Sequence, residues 1–461
     1  MSEHVLVIGA GLAGCEAAWQ LARHGIDVEL REMKPLRRSP AHVSDRPAEL
    51  VCSNSLRSMQ IQNAVGLLKE EMRRLGSLII AAADHARVPA GDALAVDRER
   101  FASYIEDALH SHRNIDFRAD VMESLPREQN TIVATGPLTD SALAEDIAQV
   151  TGSDRLYFYD SIAPIVDGDS IDTTIAFEQS RYDKGDSADY LNCPMTESEY
   201  SDFYDTLLQA ESVPAHDFEE PKYFQGCLPI EVVAASGKKS LLFGAMKPVG
   251  LTDPRSGKRP FAVVQLRKED IDGRAYNLVG FQTKMKYGAQ RRVLRMIPGL
   301  GDAEFLRLGA MHRNTYLDSP RLLDDHFRLR ALPNVRFAGQ ITGVEGYVES
   351  AASGWLVATQ NAFDLKMREF SLPPSEVAFG ALMGHVLGLD KLHNHPHEPQ
   401  NVNWGMFPRV HGVKKREQKT ARVARAVAAL ETWAGALELP LTSGTLSVSN
   451  HVRADHATGS V

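Results

Sequence analysis

Val5-Leu6-Val7-Ile8-Gly9-Ala10-Gly11-Leu12-Ala13-Gly14 opens the chain with a run of apolar, mostly β-branched residues that breaks into three spaced glycines. Cys15 to His24 follows with helical periodicity, Gly25 stops that helix, and Asp27 to Leu30 reads as a second strand with Glu32 at its end. The order strand, glycine turn, helix, strand, acid is the signature of a dinucleotide-binding α/β unit. Each glycine has a different task. Gly9 allows the turn, Gly11 lets the backbone approach a pyrophosphate, and Gly14 lets the helix pack on the strand. The helix N-terminus, with Ala10, Leu12 and Ala13 around it, offers unpaired N–H groups to phosphate oxygens. Glu32, 23 positions after Gly9, is placed to accept a ribose hydroxyl.

Two later segments point to the same sheet. Thr131 to Pro137 is a buried-strand pattern ending at Gly136, and Val335 to Gln340 is another ending at Gly339. An NAD domain could end near residue 150, whereas a strand revisiting the sheet at 335–340 favours FAD, with NAD as the alternative. Proteins with two dinucleotide-type halves often end that late strand in Gly-Asp. Here Gln340 stands in the acid's place, able to hydrogen-bond a ribityl hydroxyl but carrying no charge.

Between these parts, from about Leu156 to Arg307, the pattern shifts toward alternating strands such as Tyr157-Phe158-Tyr159 and Ser240 to Gly244, with a turn at Pro254 to Lys258. The expected architecture is therefore α/β, a discontinuous Rossmann-like FAD-binding domain carrying an inserted α+β domain. The expected divisions are 1–155, 156–307, 308–440 and a loose Ser/Thr/Gly-rich tail at 441–461.

The 461 residues are ordinary globular material, 43% hydrophobic and 24% charged. With 51 Lys and Arg against 60 Asp and Glu the formal charge is −9, so a polyanion must be held by a local basic patch. Pro408 to Arg425 supplies one: Arg409, Lys414, Lys415, Arg416, Lys419, Arg422 and Arg425 against the single acid Glu417. Helical spacing puts Lys415, Lys419, Arg422 and Arg425 on one arc, with Val423, Val427 and Leu430 on another. The bland alternative is a solvated helix face. The start of the chain lacks a secretory pattern and no apolar run reaches the roughly 18 residues of a membrane span, so a cytoplasmic protein is expected.

Four cysteines, none spaced as CxxC, suggest thiols in a reducing compartment. Cys15 follows the glycine turn and reads as structural; Cys193 is undecided. Cys52 in Val51-Cys52-Ser53-Asn54 and Cys227 in Gly226-Cys227-Leu228-Pro229 lie in loop contexts able to present a thiol, although an unpaired cysteine is more often a small buried hydrophobe. His393, His395 and His397 alternate around Pro396, which breaks any regular element that could hold three rings on a metal; a solvent loop and no metal are expected.

Gly9 to Gly14, Pro47 to Arg57, Asn63 to Glu71, Gly226 to Glu231, Met246 to Leu251, Met311 to Thr315 and Gly339 to Gly354 together resemble the bacterial folate- and FAD-dependent tRNA uracil-5 methyltransferase family. The likeness runs from about residue 3 to about residue 435 and departs mainly in the tail. It implies a flavoprotein that makes 5-methyluridine in the T-loop of tRNA, taking the one-carbon unit from methylenetetrahydrofolate and electrons from NAD(P)H. It also implies that Cys227 is the nucleophile at uracil carbon 6, that Cys52 is a second active-site thiol near the flavin, and that Tyr347 stands beside the isoalloxazine.

Uracil carbon 5 is a poor nucleophile until a thiolate adds at carbon 6. A base must later remove the carbon 5 proton, for which Cys52 is the candidate. A free thiol titrates near roughly 8.5, so Cys227 needs a cation nearby; Lys222, Lys247, Arg57 and Arg313 are candidates. An RNA substrate favours the phosphate-binding reading of Lys414, Lys415, Arg416, Lys419 and Arg422. Two rivals stay open: a related flavin and folate enzyme acting on a ribosomal or wobble uridine, and a flavin oxidoreductase of small molecules.

Overall fold

The computed structural model describes residues 4–39, 41–152, 156–161, 163–183, 190–213, 228–309, 311–389, 397 and 399–442. Its central six-stranded sheet runs in the order Arg328–Leu329, Leu332–Phe337, Thr131–Val133, His4–Ile8, Asp27–Glu32, Ile115–Ala119. All neighbours pair in parallel except the short edge strand Arg328–Leu329. Val7 is opposite Leu30 on one side and Ile132 on the other, so the first strand lies in the middle, buried on both faces. That is why it reads as an unbroken apolar run. The chain winds outward to Asp27–Glu32 on one side and later returns to Thr131–Val133 on the other, which makes the end of the first strand a topological switch point.

The first helix, Leu12–Arg23, begins a turn earlier than the Cys15 expected from periodicity, because Gly11 takes the N-cap position in extended conformation. Helix Tyr347–Leu365, after the late strand, lies directly on it. A Cβ at Gly354 would come within 2.2 Å of the Ala13 carbonyl oxygen, so only glycine permits this approach. Late and early parts of the chain thus share one hydrophobic core, containing Val7, Leu21, Ile132, Phe337 and Trp355.

A second core, containing Val166, Leu191, Cys193, Val264, Leu266 and Leu278, belongs to a six-stranded antiparallel sheet in the order Phe177–Glu178, Tyr190–Met195, Ala262–Lys268, Ala275–Leu278, Ile165–Asp167, Phe305–Arg307. Antiparallel strands Leu156–Ser161 and Met311–Tyr316 pair where the chain leaves the first core and returns to it. The strand around Tyr157 to Tyr159 therefore pairs outside the inserted sheet.

The Ser240 to Gly244 expectation is corrected. Ser240–Phe243 is a single helical turn, with Leu241 buried and Phe243 82% exposed. Three consecutive apolar residues carry no period, so strand and helix could not be separated there. The apolar stretch Leu78 to Ala83 is part of the buried helix Leu78–His85. Among the described residues no helix is long and apolar enough to cross a membrane.

Candidate active site

Gly9, at φ +97°, donates its N–H to the Arg31 carbonyl and lies where a Cβ would be 2.8 Å from the Ala134 carbonyl oxygen. At Gly14 a Cβ would be 1.7 Å from the Gly9 carbonyl oxygen. Both glycines are therefore demanded by the protein's own packing. Gly11 differs: a Cβ there would meet nothing within 4 Å, and its φ of −74° suits any residue. No internal contact explains a glycine at that position, which fits a ligand approaching the backbone.

Gly11 opens on a cleft of about 530 Å³ lined by Gly9, Glu32, His42, Thr135, Thr139 and Leu143 among others. The Glu32 carboxylate, 6% exposed, accepts the Ala10 N–H (2.7 Å) and the Lys34 N–H (3.0 Å), which orient it at the cleft wall. Each oxygen keeps a lone pair for a hydroxyl. Burial pushes the His42 imidazole pKa down, with the Lys34 charge acting the same way, so the imidazole itself adds no positive charge to the cleft. Gly136, φ +67°, lets the neighbouring strand turn away beside the cleft. An open glycine cradle, a helix N-terminus and an oriented carboxylate fit a dinucleotide such as FAD.

Gly339 has a packing reason of its own: φ is +83° and a Cβ would be 2.7 Å from the Ala13 Cβ. Gln340 is tied down by a 2.7 Å bond from its Nε2 to the Glu345 carboxylate. At the start of the late helix, the Tyr347 hydroxyl accepts the N–H groups of Cys52 (2.8 Å) and Ser53 (3.1 Å). Burial and the nearby Cys52 push the Tyr347 phenol pKa up, so it remains a neutral hydroxyl. Tyr347 and Cys52 are thus brought together, 295 residues apart in sequence.

The other side of the Cys52 loop is held by cations that the sequence reading did not single out. Arg267 donates from Nε to Asn54 Oδ1 (2.9 Å) and from Nη2 to Ser53 Oγ (3.0 Å). Arg98 donates from Nε to Glu269 (2.6 Å) and from Nη1 to the Leu50 carbonyl. Arg307 reaches the Ala41 carbonyl at 3.4 Å, and all three guanidinium groups interact electrostatically with Cys52. The available signal was the pair Gln265 and Arg267 at alternate positions of a strand that is otherwise apolar up to its last residue, Lys268.

Cys227 and Lys222 lie outside the described residues. Of the other proposed cation sources, Arg57 is ion-paired with the buried Glu349. Cys15 is fully buried, its thiol donating to the Ala10 carbonyl, and burial pushes its pKa far up. Cys193, also fully buried, is pushed up to about 12 by burial, which makes it an inert part of the inserted core. His393 and His395 lie outside the described residues. His397 is no solvent-loop residue: it is half-buried, with its ring 5.2 Å from that of His385 and its Nε2 3.3 Å from the Thr342 carbonyl oxygen. Among the described residues no cluster could hold a metal ion.

The basic segment divides in two. Lys414, Arg416 and Lys419 are exposed, Arg416 being paired with Glu417. Arg422 is partly buried, donating to the Trp404 carbonyl (2.8 Å) and lying 5.9 Å from the centre of the Trp404 ring. Arg425 donates to the Pro408 and Arg409 carbonyls. The helix itself is Gln418–Ala436, so Lys415 precedes it in a short 3₁₀ turn rather than sharing a continuous arc. Spacing identifies a face; it does not show that Arg422 and Arg425 are already engaged in holding 404–409.

Residues 4–369 match the family model for glucose inhibited division protein A. The methylenetetrahydrofolate-tRNA-(uracil-5-)-methyltransferase TrmFO of Geobacter sulfurreducens is 55% identical over 434 residues, 94% of this chain and 99% of that protein. The chain belongs to the TrmFO family. The TrmFO of Anaeromyxobacter sp. is 56% identical over 435 residues, covering 94% and 96% of the two chains. Among solved structures, Aquifex aeolicus GidA superposes with a TM-score of 0.66 at 15% identity, covering 93% of this TrmFO-family chain and 75% of the other. At that identity the likeness shows the fold, a parallel Rossmann-like sheet with an antiparallel insertion.

Proposed function

We propose that the protein is a methylenetetrahydrofolate- and FAD-dependent tRNA uridine carbon-5 methyltransferase, making 5-methyluridine in the T-loop with NAD(P)H as reductant, in the cytoplasm. The observation that carries this reading is the 55% identity over 434 residues to a relative so named, beside a family match over residues 4–369 that takes in the glycine turn, the Cys52 loop and Tyr347.

In this reading the turn Gly9 to Gly14 receives the FAD pyrophosphate at the N-terminus of helix Leu12–Arg23, and Glu32 takes a ribose hydroxyl. Gly136, Gly339 and Gln340 would hold the rest of the cofactor, and Tyr347 would stand beside its isoalloxazine. FAD, when bound, supplies the hydride that completes the methyl group. Cys227 adds to uracil carbon 6, so that carbon 5 can attack the methylene carbon supplied by the folate, and the thiolate leaves carbon 6 again as the hydride completes the methyl group. Cys52, held by Tyr347 on one side and by Arg267 through Ser53 and Asn54 on the other, takes the carbon 5 proton. Lys414, Lys415, Arg416 and Lys419 contact tRNA phosphates, with Arg422 contributing mainly by holding the adjoining loop. The division into 1–155, 156–307, 308–440 and 441–461 belongs to the same proposal and is supported by the two separate cores.

The test is to incubate the purified protein with unmodified tRNA, and in parallel with unmodified ribosomal RNA, together with labelled methylenetetrahydrofolate and NADPH, then map the labelled nucleoside. Label in T-loop 5-methyluridine is the expected result. Label at a wobble position or only in ribosomal RNA, or NADPH consumption indifferent to RNA, would remove the reading.

A further inference from the structure

We infer that Arg267 is a positioning residue for the methyltransferase reaction: from the inserted sheet it fixes the Cys52 loop of the dinucleotide-binding domain, so that the thiol's placement depends on how the two parts of the molecule are seated together. The activity part of this inference rests on the proposed function. The placement part rests on geometry alone.

Strand Ala262–Lys268 alternates. Ala262, Val264 and Leu266 enter the inserted core, while Gln265 and Arg267 occupy the opposite face. Gln265 is used within the inserted sheet, donating to Asn192 Oδ1 (2.9 Å) and accepting from Arg181 Nε (2.7 Å). Arg267 instead reaches out of its own domain, and the fork of its guanidinium meets two oxygens on consecutive residues, Asn54 Oδ1 and Ser53 Oγ. Asn54, fully buried, returns a bond from Nδ2 to the Lys268 carbonyl (2.9 Å) and another to the Val96 carbonyl (3.0 Å). Three hydrogen bonds thus join the two residues after Cys52 to one strand of the insertion. Tyr347 fixes the backbone N–H groups of Cys52 and Ser53 from the other direction.

The chemistry of Arg267 argues against a merely stabilising role. It is 7% exposed, and both hydrogen-bond partners are neutral, so its charge is desolvated without a carboxylate bonded to it. Burial accordingly pushes its pKa down. An apolar side chain of similar length would avoid that desolvation cost. What it could not do is hold two oxygens at a fixed angle, and a lysine, with a point charge on a flexible stem, could not do so either. Ser53 and Asn54 follow Cys52 directly in the chain, so a bond between the two parts at these residues fixes where the Cys52 thiol stands.

The experiment compares Arg267→Met, Arg267→Lys and Ser53→Ala with the parent holoenzyme. Ser53→Ala leaves the buried charge in place and removes only one contact, so it remains informative if Arg267→Met folds poorly. Five readouts are taken: FAD content, steady-state kcat, KM for tRNA, KM for methylenetetrahydrofolate, and the rate at which iodoacetamide alkylates Cys52, read by peptide mass spectrometry. Displacement of a catalytic group by about 1 Å can cost on the order of 100-fold, so kcat of Arg267→Met should fall by roughly that factor. Both KM values and FAD content should stay within about twofold of the parent. Cys52 alkylation should change several-fold, with Arg267→Lys intermediate and Ser53→Ala shifted the same way but less.

Parental kcat and alkylation in all variants would overturn the inference. So would a raised KM for tRNA at unchanged kcat, which would make Arg267 an RNA contact, or lost flavin in Arg267→Met with Ser53→Ala at parental values, which would make it structural only. If the parent itself makes no 5-methyluridine, the functional reading fails while the alkylation arm still decides the placement.

Discussion

The Tyr347 hydroxyl accepts the Cys52 N–H at 2.8 Å, joining the first turn of the late helix to a loop 295 residues earlier. A phenol at this point serves two purposes, since its ring is half-buried against the larger core while its oxygen satisfies two backbone donors of the loop that presents the thiol. Tyr347→Phe keeps the ring and leaves both N–H groups without that acceptor. Loss of a buried partner costs about 1–3 kcal/mol. The expected outcome is a lower unfolding temperature by a few degrees in a thermal scan, FAD still bound, and turnover reduced about tenfold or more. An unchanged turnover would show that the loop does not depend on this hydroxyl.

The glycines of the turn should separate cleanly. Gly14→Ala drives a Cβ into the Gly9 carbonyl and should yield little folded protein. Gly11→Ala meets nothing within the protein, so the apoprotein should unfold at the parental temperature to within about a degree, yet flavin occupancy, read from the visible absorbance, should drop severely. Parental occupancy in Gly11→Ala would place the pyrophosphate elsewhere.

Lys69 gives a pH dependence with a definite sign. It is buried, donates to the Leu56 carbonyl (2.8 Å), and its pKa is lowered to about 7, by burial first and then by the Arg57 charge. Between about pH 7 and the ordinary lysine value of 10.5, the unfolded chain holds a proton that the folded chain does not. The contribution of this group to stability therefore rises with pH across that window. In urea titrations at pH 7 and pH 9, the parent should gain stability relative to Lys69→Met as pH increases. A constant difference would show that Lys69 stays charged in the fold.

The basic segment makes a two-way prediction. Lys414→Glu with Lys419→Glu should weaken tRNA binding and reduce the salt slope by roughly 0.7–0.9 per lost phosphate contact, with no effect on unfolding. Arg422→Ala should instead destabilise the region around Trp404, lowering the unfolding temperature. Parental affinity and salt slope in the double lysine variant would reduce the patch to a solvated face.

These contrasts mark what the amino-acid order made legible. The turn from Gly9 to Gly14 and the acid Glu32 form a local device, complete within one strand-helix-strand unit, and local spacing suffices to read it. The return of Leu332–Phe337 to the sheet was visible as a second apolar strand ending in glycine. Gly339, however, owes its residue type to Ala13, a contact no spacing reveals. The Tyr347–Cys52 bond and the Arg267 fork are likewise long-range, and nothing near Cys52 in sequence names either partner. Arg422 illustrates the converse, since its helical position was readable but its use by the Trp404 carbonyl was not. Ser240–Phe243 was misread because four residues are too few to express a period.

Covalent activation of the uracil by Cys227 is tested most directly by trapping it. A T-loop RNA carrying 5-fluorouridine, incubated with the holoenzyme, methylenetetrahydrofolate and NADPH, should accumulate as a covalent complex, because fluorine cannot depart as a proton does and elimination stalls. Peptide mapping should place the RNA on Cys227, and Cys227→Ser should form no adduct, the hydroxyl being a far weaker nucleophile without its own base. An adduct on Cys52, or one that persists in Cys227→Ser, would contradict the roles given to the two thiols.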